Sequence, residues 1–195
     1  MRGLRKPQAS EQTVSQSIVL IGFMGTGKSA IGRGIVRLTG WQHVDTDREI
    51  EQRLGMPIPR IFAEQGESAF RMAECAVLTD LAGDALATNY HFVVSTGGGT
   101  PLRKENAALL RKIGKIVWLK ASLDVIVQRV TRKLDQRPLL AGFAENPRQR
   151  IEGLLSEREP QYAELAEYII DTSTFPSPDD AARNVVKRLG LSEAL

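Results

Sequence analysis

Only one cysteine, Cys75, occurs in the 195 residues, which excludes an internal disulfide and fits a chain kept in a reducing cytoplasm. Because residues 71–76 have a helical pattern, Cys75 is expected to be a small core residue rather than a nucleophile. Two histidines, His43 and His91, stand singly at the starts of apolar runs and have no partner at metal-ligand spacing, so zinc chemistry is not expected. Aromatic residues make up 6% of the chain, too few for the stacking platforms of a nucleic-acid binder. The net charge of +3 is uneven, since Arg2, Arg5, Lys6 and Glu11 give the first sixteen residues +2 and leave +1 for the rest. A core so close to neutral offers no basic stripe to a phosphate backbone. No apolar run approaches the length of a membrane span, and the N-terminus lacks an apolar signal region. An Asn-Lys-x-Asp run is also missing, which argues against a GTPase-type switch. These absences leave a cytoplasmic protein without nucleic-acid or membrane partners, and with no apolar seam to suggest anything but a monomer.

What is present is an alternation. Short apolar runs at 18–21, 92–95, 116–119 and 168–171, with a weaker one at 41–44, read as strands buried on both faces. Helical patterns occupy 29–38, 67–87, 103–113, 123–132 and 148–166, and a last helix opens on Ser177 as N-cap with Pro178 behind it. This order predicts an α/β fold: a doubly wound parallel sheet of about five strands flanked by helices, with ligands at the carboxyl ends of the strands. Residues 1–16 are polar and without periodicity, and are expected to form a disordered extension to a domain spanning 17–195. Residues 133–145, a long unpatterned stretch containing Pro138 and Gly142, are expected to form a lid.

The chemistry starts at Gly22-Phe23-Met24-Gly25-Thr26-Gly27-Lys28-Ser29, which follows the first strand and opens the first helix. Its spacing is that of a P-loop, whose glycines let backbone N–H groups converge on phosphate oxygens at a helix N-terminus. Gly25, Thr26, Gly27, Lys28, Ser29 and Ala30 are the expected ATP cradle, with Lys28 bridging phosphates and Ser29 holding Mg²⁺. Many P-loop enzymes take a second magnesium carboxylate from the end of a central strand, but the run 92–95 ends in Ser95. Asp45 is the nearest substitute. If extended, Asp45 and Asp47 point the same way; Asp47 would then face an acceptor hydroxyl as base or orienting group. A competing reading makes Asp47 the cap of a helix over 48–54.

Arg71 and Glu74, three apart on a helix, read equally as a surface pair and as a substrate-binding arginine held by its glutamate. Gly97, Gly98 and Gly99 follow the strand 92–95, where a backbone without side chains can approach a ligand closely. Two further arginines, Arg137 in the lid and Arg158 beyond it, point towards the same cleft. Taken together these features describe a kinase for a small anionic hydroxy acid. A gluconate or other sugar-acid kinase is the alternative within that class.

In order, GFMGTGKS, Asp45-Thr46-Asp47, Phe70-Arg71-Met72-Ala73-Glu74, Ser95-Thr96-Gly97-Gly98-Gly99-Thr100, Arg137-Pro138-Leu139-Leu140 and Arg158-Glu159-Pro160-Gln161-Tyr162 resemble the motif set of the shikimate kinases, over about residues 17 to 190. The resemblance implies ATP-dependent phosphorylation of the 3-hydroxyl of shikimate, a step of aromatic amino-acid synthesis. It implies that Asp47, Arg71, Gly98, Gly99 and Arg158 contact shikimate, with Gly97 beside them, that Asp45 and Ser29 serve magnesium, and that Arg137 reaches the transferring phosphate. Arg129 and Arg132 compete for the family's adenine-side arginine, and Thr174-Phe175 replaces its basic pair after the last strand.

Overall fold

The computed structural model describes residues 17–87, 91–131, 146–192 and 194. The extension 1–16, the lid 133–145 with Arg137, and Arg132 lie outside them. Five strands form one parallel sheet: β1 (Ile18–Ile21), β2 (Gln42–Asp45), β3 (Phe92–Ser95), β4 (Lys115–Lys120) and β5 (Tyr168–Asp171), in the order β2-β3-β1-β4-β5. β1 lies between β3 and β4, with Leu20 in register with Ser95 and Ile21 with Trp118.

Its four residues are all buried and divide between the two faces, as a two-residue period demands. Val19 and Ile21 enter a core with Val94, Ile116 and Trp118. Ile18 and Leu20 enter the opposite one with Val93, Val117 and Leu119. Each such aliphatic chain, withdrawn fully from water, contributes about 1.5–3 kcal/mol. Helices cover both faces, as the continuous apolar strands require. On the Ile18 side lie α1 (Lys28–Thr39) and, numbered in chain order, α8 (Pro178–Arg188), whose Ala182 stands 2.7 Å from where a Cβ on Gly34 would sit. On the Val19 side are α2 (Thr46–Leu54), α3 (Ile58–Glu64), α4 (Gly66–Ala87), α5 (Lys104–Ile113), α6 (Leu123–Thr131) and α7 (Pro147–Leu165).

Three sequence expectations need correction. α3 does not appear in the sequence pattern, because prolines at 57 and 59 hide it; both fall at the helix start, where no N–H is required. Asp47 is not extended and does not cap a helix. The chain turns helical at Thr46, Asp45 is the N-cap and accepts from the Arg48 N–H at 3.5 Å, and Asp47 lies in the first turn. Cys75 is partly buried on α4 rather than fully in the core. Ser177 does cap α8, accepting from the Asp180 N–H at 3.2 Å.

Candidate active site

All five strands run the same way, so their carboxyl ends meet along one edge, where a cleft of about 1010 Å³ opens. β1 feeds the P-loop into it. Gly22 sits at φ 135°, and a Cβ there would lie 2.3 Å from the Leu119 carbonyl oxygen, so the turn admits no side chain. Gly27, also left-handed, precedes the first residue of α1, so the loop leads into a helix N-terminus, the end that favours an anion. Lys28 arcs back over the loop, its Nζ donating to the Gly22 and Phe23 carbonyls at 2.7 and 3.0 Å. Thr26 is buried and donates to the Phe23 carbonyl at 2.8 Å. Its own carbonyl accepts from Thr172 Oγ1 at 3.1 Å, which ties the loop to the end of β5. Arg129 donates from Nη1 to the Gly25 carbonyl at 3.0 Å.

At the end of β2, Ser29 Oγ donates to Asp45 Oδ2 at 2.6 Å. Ser95, paired in register with Asp45, is engaged by His43 Nε2 at 2.9 Å instead of standing open in the cleft. Burial is the main reason the His43 imidazole titrates below its ordinary value, with the Asp45 carboxylate opposing. Between the two aspartates, buried Thr46 accepts the Gly97 N–H on its Oγ1 at 3.2 Å. Asp47 closes against the same turn: a Cβ on Gly97 would stand 2.7 Å from Asp47 Oδ1. Burial, reinforced by the Asp45 carboxylate and opposed by Lys28, pushes the Asp47 carboxyl up to about 6.

Opposite stands Arg71. Its Nη1 donates to Glu74 Oε2 at 3.1 Å, and its Nε and Nη2 both donate to Glu67 Oε1 at 3.1 and 3.0 Å. Glu74 is 1% exposed, so the surface-pair reading of Arg71 and Glu74 does not hold. Both carboxylate oxygens are engaged, with Thr100 Oγ1 donating at 2.7 Å to Oε1 and Asn106 Nδ2 at 3.0 Å to Oε2. Burial weakens the charge on Arg71, but Glu74 and then Glu67 more than offset it, and the guanidinium titrates above its usual range. Gly99 passes beside it, the position of a Cβ lying 3.4 Å from Arg71 Nη2. From α7, Arg158 lies over the Phe23 ring at 5.5 Å and, like Gly98, lines the cleft.

The P-loop residues 25–30, Asp45, Asp47, Arg71, Gly97, Gly98, Gly99, Arg129 and Arg158 therefore share one cleft. Thr46, Thr100 and Asn106 were given no part by sequence reasoning, yet they hold the glycine turn and Glu74. Their signal was weak: Thr46 was visible only as the middle of the aspartate pair, and Asn106 not at all.

A phosphate cradle at the carboxyl edge of a parallel sheet, facing a wall of carboxylate, guanidinium and glycine backbone, defines a P-loop phosphotransferase with an acceptor site for a small polar molecule. The family model for shikimate kinase matches residues 24–190. The shikimate kinase of Methylococcus capsulatus is 41% identical over 174 residues, covering 89% of this chain and 90% of that one. The protein belongs to the shikimate kinase family. Among solved structures, a shikimate kinase from Acinetobacter baumannii in complex with shikimate superposes with a TM-score of 0.81 at 35% identity, covering 91% of this chain and 94% of that one. A gluconokinase from Sinorhizobium meliloti reaches a TM-score of 0.54 at 17% identity over 90% of this chain and 92% of that one, a likeness of fold alone.

Proposed function

We propose that this protein transfers the γ-phosphoryl group of ATP to the 3-hydroxyl of shikimate, giving ADP and shikimate 3-phosphate. The observation that carries the reading is the meeting of Asp47, Arg71 and the turn Gly97-Gly98-Gly99 in the same cleft that the P-loop lines. That wall offers an anionic hydroxy acid a guanidinium for its carboxylate, a carboxylate for its hydroxyl and bare backbone between them.

In the reaction Asp47 orients the acceptor hydroxyl and takes its proton as the new O–P bond forms and the bond to ADP breaks. With its carboxyl at about 6 it is ionised at neutral pH yet basic enough to hold that proton. Lys28 and the N-terminus of α1 meet the phosphates, and Arg71 with Arg158 holds the substrate carboxylate. Ser29 Oγ and Asp45 Oδ2, two hard oxygens 2.6 Å apart, fit magnesium, which takes one or two protein oxygens and fills its shell with water and substrate phosphate. When bound, the ion supplies charge neutralisation on the phosphates. Arg129, fixed to the loop at Gly25, is the adenine-side candidate that lies within the described residues.

A coupled ADP-release assay against shikimate, gluconate, nucleoside monophosphates and no acceptor tests the reading. Turnover with shikimate alone is expected; turnover with gluconate at equal or better kcat/KM would replace it by the sugar-acid reading. The same proposal describes a cytoplasmic monomer that acts on small molecules, supported by the lone cysteine and the near-neutral charge of residues 17–195. Light scattering at working concentrations measures its oligomeric state.

A further inference from the structure

Tyr162 belongs to no step of the reaction above, yet it is among the largest fully buried side chains. A tyrosine taken wholly out of water needs a partner for its hydroxyl. Here the partner is the Gly98 carbonyl, to which Tyr162 Oη donates at 2.6 Å. The ring is seated in the core by Trp118, with centroids 5.9 Å apart, so the hydroxyl is delivered from a fixed base. Arg158 stands one turn earlier on α7 and faces the same oxygen; burial pushes the phenol up to about 12 even though the charge and N–H of Arg158 oppose it. Arg158 Nη1 is also 3.8 Å from where a Cβ on Gly98 would lie. One hydroxyl thus joins two parts of the acceptor wall that come from different elements, the glycine turn after β3 and the arginine on α7.

The consequence is directional. Gly98 has no side chain by which its peptide can be held, so its plane is set by what its carbonyl meets. With Tyr162 holding that carbonyl, the peptide N–H of Gly99 takes a fixed direction, because carbonyl and following N–H share one rigid plane. We propose that the Tyr162 hydroxyl is a positioning group for the acceptor: it sets the Gly98–Gly99 peptide and steers Arg158 into the cleft, without touching substrate itself. The inference rests on the acceptor reading given above.

Tyr162→Phe keeps the ring and deletes the oxygen. The expected result is a rise of about 5- to 30-fold in KM for shikimate, the range for a buried carbonyl left without its donor. The KM for ATP should stay within about 2-fold, because the hydroxyl bonds the glycine turn and not the phosphate-facing Gly27, Lys28 or Ser29. Val185→Ala, a core truncation on the opposite face of the sheet, controls for destabilisation alone and should lower Tm while leaving both KM values in place. In an Arg158→Ala background the Tyr162→Phe effect should shrink, since part of it runs through Arg158. Unchanged KM for shikimate in Tyr162→Phe, an equal rise in both KM values, or the same rise in Val185→Ala would overturn the proposal. The two readings separate cleanly: if Arg158→Ala leaves shikimate KM unaltered, the acceptor reading itself fails, whereas a weakened Arg158→Ala beside a normal Tyr162→Phe removes only the role of the hydroxyl.

Discussion

The two ends of the cleft are built by different means. At the phosphate end most ligand-facing groups come from one short stretch, residues 22–29, and the work is done by backbone shape: left-handed glycines, a helix N-terminus, and a lysine resting on loop carbonyls. At the acceptor end the groups come from α2, α4, the turn after β3 and α7, and side-chain bonds between these elements fix several of them. Thr46 holds Gly97, Glu74 holds Arg71 with Thr100 and Asn106, and Tyr162 holds Gly98. A phosphate is the same in every P-loop enzyme, so a local device suffices; a particular hydroxy acid has to be framed from several sides, which only tertiary structure provides.

That contrast can be broken first at Lys28. Lys28→Ala removes the lysine cation of the phosphate end and should lower kcat by on the order of 10²–10³, while Tm changes little, because the side chain is only part-buried and the Phe23 carbonyl keeps its bond from Thr26. Steady-state kinetics beside thermal melting would show it. A large fall in Tm would mean that the lysine holds the loop's shape, and that the phosphate end is less self-sufficient than described.

The mirror experiment belongs to the acceptor end. Glu74→Ala leaves Arg71, Thr100 Oγ1 and Asn106 Nδ2 without their common acceptor in a buried place, and should cost about 3 kcal/mol of stability. Urea denaturation measures that loss, and shikimate affinity should fall with it as Arg71 loses its direction. If stability drops while calorimetric shikimate affinity is kept, Glu74 is only structural.

This difference also governs what could be read from the sequence. Contiguous features were legible: β1, β3 and β5 fall where apolar runs end, and GFMGTGKS declares its turn by spacing alone. The acceptor wall was legible as parts, not as an assembly. Arg71 and Glu74 could not be told from a surface pair, since burial of Glu74 depends on Thr100 and Asn106, which lie 26 and 32 residues away. Asp45 is extended as the alternation required, but Asp47 is not, because a pattern over three residues cannot reveal that Asp45 ends a strand and caps a helix. α3 was hidden by the prolines at its own start.

A third, smaller effect exposes the cost of placing Asp47 where it is. Its carboxyl has a folded value of about 6 against 3.8 for the ordinary group. Below 3.8 both folded and unfolded forms are protonated and nothing is lost. Between 3.8 and 6 the folded form holds a proton that the unfolded form has released, so stability declines as pH rises; above 6 the full penalty applies. Asp47→Asn removes it and should raise stability at neutral pH by about 1–3 kcal/mol, with no gain below pH 4, while turnover is lost. Urea melts at two pH values decide the sign. Equal gains at both would place the effect outside this ionisation.

The smallest effect is expected from Glu67, the other carboxylate on Arg71, and it sharpens the comparison within the acceptor end itself. Glu67 and Glu74 make bonds of similar length to the same guanidinium, 3.0 and 3.1 Å, yet their side chains are 65% and 1% exposed. Water competes for Glu67 and screens it, so the pair should contribute only the few tenths of a kcal/mol typical of an exposed i,i+4 contact. Glu67→Gln is therefore expected to lower stability by about 0.3–0.5 kcal/mol, an order of magnitude less than the loss at Glu74. Because the substrate is an anion, removing this charge also lifts a repulsion at the cleft mouth, and shikimate association should quicken slightly at low salt and not at high salt. Stopped-flow binding at two ionic strengths checks the second point. A loss in stability comparable to that of Glu74→Ala would show that exposure is a poor guide here, and that Arg71 needs both of its carboxylates to stand.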